Sequence, residues 1–533
     1  MIASWVWTLS IDWHGGPYLL SSADLPGYET VLDAIAFEER LDVLPDAPSD
    51  QQVSVRFDLG DRLRVLLAAG CDPRTMTGVL RLVPVDAEGE VLDGARLVAL
   101  GPLRGLVWGS VEAPGVVEGS IGVGEQEETP LLSPSAVISA ELWPTAPEQA
   151  HGVAYPLVFG RPGDVVVDDN RRRAGSPATV ITTSGGGNPI LALVAGHPVD
   201  ASDVEVYNAT TDTWTSGVDV ATTADLAREW REALADSGLD YAVAEQFQIG
   251  VEGRYGAELD GALGGLSVID VTGLAAVEDE LFVAWTSGRA LSGMATAGDL
   301  LRYLLRRSGW AVDAGRTEAV CRALGHDVAG YVDDPGVSVQ SYLQDVVLPL
   351  LPVALARGPA GVYPVLLAPE ALDGAPTFAL VEGEDCEAIG AVGAEDLVGP
   401  RAVRVSFGWD ASRERYEGQA ATGTLPGAQY GRSTTLGSRQ LATRGSGPVE
   451  DIEGIILRDV QTAQQVGVEQ HRLRNFSPLQ RSYACPADRI LELGDVGRVT
   501  DAAVGWSSRP VLVIGREWDG ARWLYRLAAW SVP

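Results

Sequence analysis

The side chains in this chain most able to hold a metal or act as nucleophiles are five histidines and four cysteines. His14, His151, His197, His326 and His471 stand singly, and no His-Glu-x-x-His places two of them on one helix face. Cys71, Cys321, Cys386 and Cys485 are far apart and form no Cys-x-x-Cys pair. Neither a zinc site nor a disulfide framework is signalled, so isolated buried thiols are expected. Such cysteine usage fits a protein assembled in a reducing cytoplasm.

Other chemistry fares no better. A serine hydrolase of the α/β class needs Gly-x-Ser-x-Gly on a strand–turn–helix elbow that exposes the hydroxyl, and none occurs. His14-Gly15-Gly16 is the nearest sequence to an oxyanion-hole loop, but no nucleophile elbow follows it. The glycine-rich stretches 184–189 and 261–265 lack the Gly-Lys-Ser/Thr of a phosphate loop and the Gly-x-Gly-x-x-Gly of a dinucleotide loop, and read as turns. The carboxylate pairs Asp168/Asp169, Asp333/Asp334 and Glu384/Asp385 resemble glycosidase acids only in kind, because 73 acidic residues produce such pairs by chance. Fourteen tryptophans could form sugar platforms, yet Trp285, Trp409, Trp506, Trp518 and Trp523 lie in strand-like contexts, where core packing is their usual role. No catalytic, cofactor-binding or metal-binding residue is assigned, and neither a cofactor nor an enzymatic activity is expected.

The elements that would position any site are mostly strands. Towards the C-terminus, residues 462–476 form a helix with Ala463, Val466, Glu469 and Leu473 three or four apart, ended by Asn475, Ser477 and Pro478. A strand at 481–485, the turn Leu493-Gly494-Asp495-Val496 and a strand at 496–500 follow. Strands at 511–514 and 523–527 are joined by the hairpin turn Trp518-Asp519-Gly520. This order resembles the C-terminal domain of the tail hub (baseplate hub) proteins of tailed bacteriophages and gene transfer agents, in which a helix leads to a strand, a Leu-Gly-Asp-Val turn and a closing hairpin. Any small β-domain closed by a hairpin is the alternative.

Upstream, Thr296-Ala297-Gly298-Asp299 starts a helix with Leu300, Leu301, Leu304 and Leu305 on one face, ended by Ser308-Gly309. A helix near 317–324, a helix over 339–348 stopped by Pro349 and Pro352, and a strand at 361–367 come next. This module resembles the α/β insertion of tail hubs, with an ordinary α+β subdomain as the alternative. Another helix is expected at 223–237, with Leu226, Trp230 and Leu234 at four-residue steps and Gly238 after it, and strands near 246–251, 265–270 and 281–285. Residues 155–163 read as a strand ending in a turn and are similar to a Pro-apolar-apolar-aromatic-Gly step of phage tail proteins. Residues 168–173 read as a charged, exposed loop.

The first 150 residues read as short strands at 4–11, 53–58, 63–67, 77–85, 96–100 and 105–111, with Asp86-Ala87-Glu88-Gly89 as a hairpin turn, a pattern that suggests a barrel or sandwich. A strand at 401–408 opens the last unit, and 418–447 reads as a long loop. The fold class is mainly β with α+β insertions, multidomain, with tail-hub-like β-barrels implied by the resemblance. The expected units are 1–150 (N-terminal β), 151–222 (β-rich connector), 223–400 (α/β module) and 401–533 (C-terminal, barrel-like with one helix).

The 533 residues carry a formal charge of -34, and every one of the 39 basic residues is arginine, a usage that fits a high-GC genome. So acidic a surface gains nothing from counterion release, so stable nucleic-acid binding is not expected. No apolar run reaches the roughly 18–20 residues of a membrane span, and the first residues lack a secretory pattern. The resemblance implies a virion protein at the tail tip, assembled in the bacterial host cytoplasm. It implies a homotrimeric ring adapting the tail tube to the tip, with the distal tail, tape-measure and tail-tip or fibre proteins as partners. DNA would pass through its channel without specific binding. Strands at 53–58, 404–409 and 511–515 are expected in the ring-forming barrels. The alternatives are a peripheral tail-tip protein that binds a surface glycan and a virion glycan hydrolase.

Overall fold

The computed structural model describes residues 4–12, 17–30, 32–41, 52–58, 64–65, 68–69, 76–108, 115–122, 128–140, 143, 146–166, 171–181, 190–197, 199–222, 266–290, 294–368, 371–372, 374–393, 400–423, 447–475 and 478–529. The protein is mainly β, with several sheets and few helices. The readings at 223–237 and 246–251, both glycine-rich stretches, His14, Cys71 and Asp168/Asp169 lie outside the described residues.

Its largest sheet has fourteen strands and draws on both ends of the chain. From Glu387–Gly393 it runs through Leu479–Cys485, Trp523–Ala529 and Trp506–Trp518. It then crosses to Leu32–Arg40, Gln52–Asp58, Val116–Ile121, Arg96–Trp108, Thr77–Val85 and Ser4–Asp12. The crossing is antiparallel, pairing Gly515 with Arg40 and Trp518 with Phe37. Strands 53–58 and 511–515 therefore share one sheet, whereas 404–409 lies in another. Val53, Val55 and Phe57 point into the core while Ser54, Arg56 and Asp58 face out, the period-two pattern of a half-buried strand. In Ser4–Asp12 the alternation is less clean: Trp7, Leu9 and Ile11 enter the main core, but Val6 is covered on the other face by Leu25 and Val85. The expected hairpin turn forms, with Asp86 Oδ1 accepting from the amides of Glu88 (3.0 Å) and Glu90 (2.8 Å).

The C-terminal elements appear in the order read from the sequence: helix Val460–Asn475, then strands Leu479–Cys485, Val496–Asp501, Trp506–Trp518 and Trp523–Ala529. Asp459 caps the helix by accepting from the amides of Gln461 and Thr462, both at 2.8 Å. Its buried face carries Ala463, Val466, Gly467, Gln470, His471 and Leu473. Two turns on from Ala463 the 3.6-residue period lands on Gln470, which leaves Glu469 at the margin. The helix packs on a separate three-stranded sheet in which Pro400–Asp410 pairs with Arg415–Gly423 and, in parallel, with Gly447–Glu453. The expected loop at 418–447 is therefore strand at both ends, and 424–446 lies outside the described residues.

In the middle of the chain, a seven-stranded sheet is built from strands between Ser176 and Ala290. Helix Ala297–Arg307 begins at a capping box between Thr296 and Asp299 and buries all four expected leucines. Helix Ala314–Ala323 starts three residues earlier than read, because Asp313 caps it. The expected continuous helix at 339–348 is one α-turn (Val339–Tyr342), a wider π-turn (Leu343–Val347) and a 3-10 turn (Leu348–Leu350) closed at Pro349. Residues 171–173 form a short strand and not an exposed loop: they pair with Asp164–Val166, and Arg173 is buried. The hairpin Val353–Gly358/Gly361–Leu366 inserts Tyr363 and Val365 into the core of the large sheet.

Candidate functional site

Two places gather polar side chains in ways that packing alone does not require. The first is the seam between the chain's ends. Arg516 Nε donates to Glu39 Oε2 at 2.6 Å with both side chains buried, and its guanidinium lies 4.7 Å over the Phe37 ring. Burial raises the Glu39 carboxyl above its ordinary value, against the opposing pull of Arg516. Trp7, Trp518, Trp523 and Phe37 pack edge-to-face around the pair, with centroids 5.2 Å (Trp7–Trp518), 5.1 Å (Trp518–Trp523) and 5.4 Å (Phe37–Trp523) apart.

The Leu493-Gly494-Asp495-Val496 turn extends this seam to the helices. Gly494 has φ +78°, and a Cβ there would meet Val365 at 2.7 Å. The Gly494 amide donates to Val513 O (2.8 Å) and the Val513 amide to Asp495 O (3.0 Å). Arg316, from helix Ala314–Ala323, reaches Asp495 at 2.8 Å and Glu492 at 2.9 Å and stacks over the Tyr363 ring. The Tyr363 hydroxyl donates to Leu493 O at 2.9 Å. One turn thus ties the hairpin 353–366, a helix and the C-terminal strands together.

The second place is a cavity of about 330 Å³ whose lining includes Arg161, Arg173, Tyr331, Asp333, Trp409 and Arg458. Strand Gly330–Val332, paired with Leu157–Phe159, presents Tyr331 and leads into Asp333, while Pro400–Asp410 presents Trp409. Burial pushes the Asp333 carboxyl up, and the charge of Asp334 adds to this. Burial also raises the Tyr331 hydroxyl. Guanidinium groups, aromatic faces and an acid of raised pKa suit a polar, hydroxyl-bearing ligand.

The remaining candidates are dispersed. His151 is exposed; buried His197 accepts the Val158 amide at 3.1 Å; His326 meets Glu469 at 3.0 Å; and His471 is buried. No group of three or more possible metal ligands occurs among the described residues. Asp385 pairs with Arg489 at 2.9 Å. Trp506, Trp518 and Trp523 are buried. Cys321, Cys386 and Cys485 are buried, but the last two are not isolated as expected: both enter the main core, and the Cys485 thiol donates a hydrogen bond to the Cys386 sulfur. A separation of 99 positions hid that pair, and only strand register reveals it. Glu39 and Arg516 were missed for the same reason.

No protein-family model matches the chain, and no curated protein matches it. Among solved structures, the tail protein from Neisseria meningitidis MC58 aligns over 98% of this chain and 96% of its own, with TM-score 0.35 and 9% identity. The 43 kDa tail protein of prophage MuSo2 from Shewanella oneidensis aligns over 98% of both chains, with TM-score 0.32 and 8% identity. Both likenesses are loose, and the functional reading rests on the chain's own residues.

Proposed function

We propose that this chain is a structural protein of a bacteriophage or phage-like tail, the hub at the distal end of the tail tube. The observation that carries the reading is the Leu493–Val496 turn: the helix, strand, turn and closing hairpin that resemble a tail hub occur in that order, and the turn locks them to the α/β module through Arg316 and Tyr363. In this role the chain forms a homotrimeric ring between tail tube and tip, contacting the distal tail, tape-measure and tail-tip or fibre proteins. A net charge of -34 suits a channel wall that DNA passes without sticking. Electron microscopy of the purified chain at high concentration, or of the native particle, tests this. A threefold ring with a central channel is expected; a monomer, or copies displayed outside the tip, overturns it.

A second reading is favoured by one observation, the Asp333 cavity: a cleft that gathers a raised carboxylate with Tyr331 and Trp409 suits a glycan-binding or glycan-cleaving tip protein. A glycan array probed with wild type and Asp333→Asn decides it. Binding or cleavage lost in the variant supports this reading, and no signal from wild type removes it.

A further inference from the structure

Cys386 and Cys485 occupy facing positions on neighbouring strands. In the antiparallel pair Glu387–Gly393/Leu479–Cys485 the register sets Glu387 opposite Ala484 and Ala388 opposite Tyr483, so the next step outward sets Cys386 opposite Cys485. Directly opposed antiparallel residues have Cα atoms roughly 4.5–5.5 Å apart, within the roughly 4.4–6.8 Å span that a disulfide bridges. Both side chains point into the same core, Cys386 being 7% and Cys485 1% exposed. Cys386 also ends the turn that joins Phe378–Val381 to Glu387–Gly393, where it bridges Glu382. These are the first and last strands of the C-terminal six-strand path that runs through 496–501, 506–518, 523–529 and 479–485. A covalent link here would fasten that turn to the strand beside it.

We propose that Cys386 and Cys485 are a built-in disulfide site, reduced in a reducing environment and closed by a small disulfide oxidant of the glutathione class once the protein leaves it. The proposal stands on strand register and does not depend on the tail-hub reading. The partner thiol's hydrogen bond lowers the Cys386 pKa, whereas Cys485 is pushed up, so Cys386 is the first thiolate. Its sulfur attacks one sulfur of oxidised glutathione, breaking that S–S bond and releasing one glutathione thiolate. Cys485 then loses its proton and attacks the Cys386 sulfur of the mixed disulfide, forming the Cys386–Cys485 bond and expelling the second glutathione. The two thiol protons pass to the two departing thiolates. The protein is oxidised by two electrons and the glutathione disulfide is reduced by two.

The full-length chain is incubated with oxidised glutathione below its unfolding temperature, its remaining thiols are alkylated, and it is mapped by mass spectrometry without reduction. A peptide joining Cys386 to Cys485, two hydrogen masses lighter than its reduced halves, is expected, with a thermal midpoint that rises on oxidation and falls back on reduction. Cys386→Ser should lose both the linked peptide and the oxidation-dependent shift while retaining the reduced wild-type circular dichroism. Alkylation of both thiols, glutathione held on either without the link, or linkage to Cys71 or Cys321 overturns the proposal.

Discussion

Glu39 and Arg516 are 477 positions apart in the chain and 2.6 Å apart in the fold. The Glu39 carboxylate also draws on the Arg357 backbone amide, whereas one Arg516 terminal nitrogen has no hydrogen-bond partner among the described residues. Desolvating two charges offsets most of their attraction, but removing one strands the other. Glu39→Gln should therefore cost about 3–5 kcal/mol in urea unfolding, while Glu39→Leu with Arg516→Met should come close to wild type. His471 gives a pH signature. Burial lowers its pKa from the ordinary 6.5, and neither ring nitrogen has a hydrogen-bond partner among the described residues. With the folded value depressed, its contribution is fully present above the unfolded value and is lost as pH falls through the folded one. Thermal midpoints should decline as pH drops below 6.5, and His471→Leu should flatten that decline. At Gly494, alanine meets both a left-handed backbone and Val365. A loss of about 1–2 kcal/mol is expected from the backbone alone, read as a shift in the urea midpoint.

At the scale of elements, helix Val460–Asn475 depends on tertiary cover more than on its own sequence, because Thr462, Gln470 and His471 share its buried face with Ala463, Val466 and Leu473. Gly467 lets it approach Thr422, to which a Cβ would come within 2.9 Å. Its cap is separable: Asp459→Ala removes the acceptor for the amides of Gln461 and Thr462 and should cost about 1 kcal/mol, with the helix frayed at that end by hydrogen exchange. Helix Ala297–Arg307 was legible in detail, since Thr296, Asp299 and the leucine face are local signals. The break into π- and 3-10 turns after Tyr342 was not, because Pro349 marks a stop without saying how the preceding turns widen.

For the whole molecule, the decisive contact is the antiparallel pairing of Leu32–Arg40 with Trp506–Trp518. It merges the strands of the first 121 residues with Phe378–Val381, Glu387–Gly393 and the strands after residue 478 into one sheet over one apolar core. Amides of these two strands should accordingly open in the same cooperative unit. Native-state hydrogen exchange checks this, and independent opening free energies on the two sides would show that the seam is not a unit. A core shared by distant parts of the chain also implies slow folding, since its pairings close very long loops.

Local signals were enough to place strands such as 4–11, 53–58 and 77–85 and the C-terminal helix, turn and hairpin, because alternation, caps and turn residues act within a few positions. The mainly β class followed directly from them. The same signals missed the strands at 32–40 and 116–121, took 171–173 for a loop, and took 63–67 for a strand although residues 64–65 are helical. Partner choice was decided only in three dimensions: Arg516 with Glu39, Cys386 with Cys485, Asp333 beside Tyr331 and Trp409 in one cavity. Edge strands carry generic hydrogen-bonding groups, so strand order and register depend on which apolar faces can be buried together, a property of the folded whole.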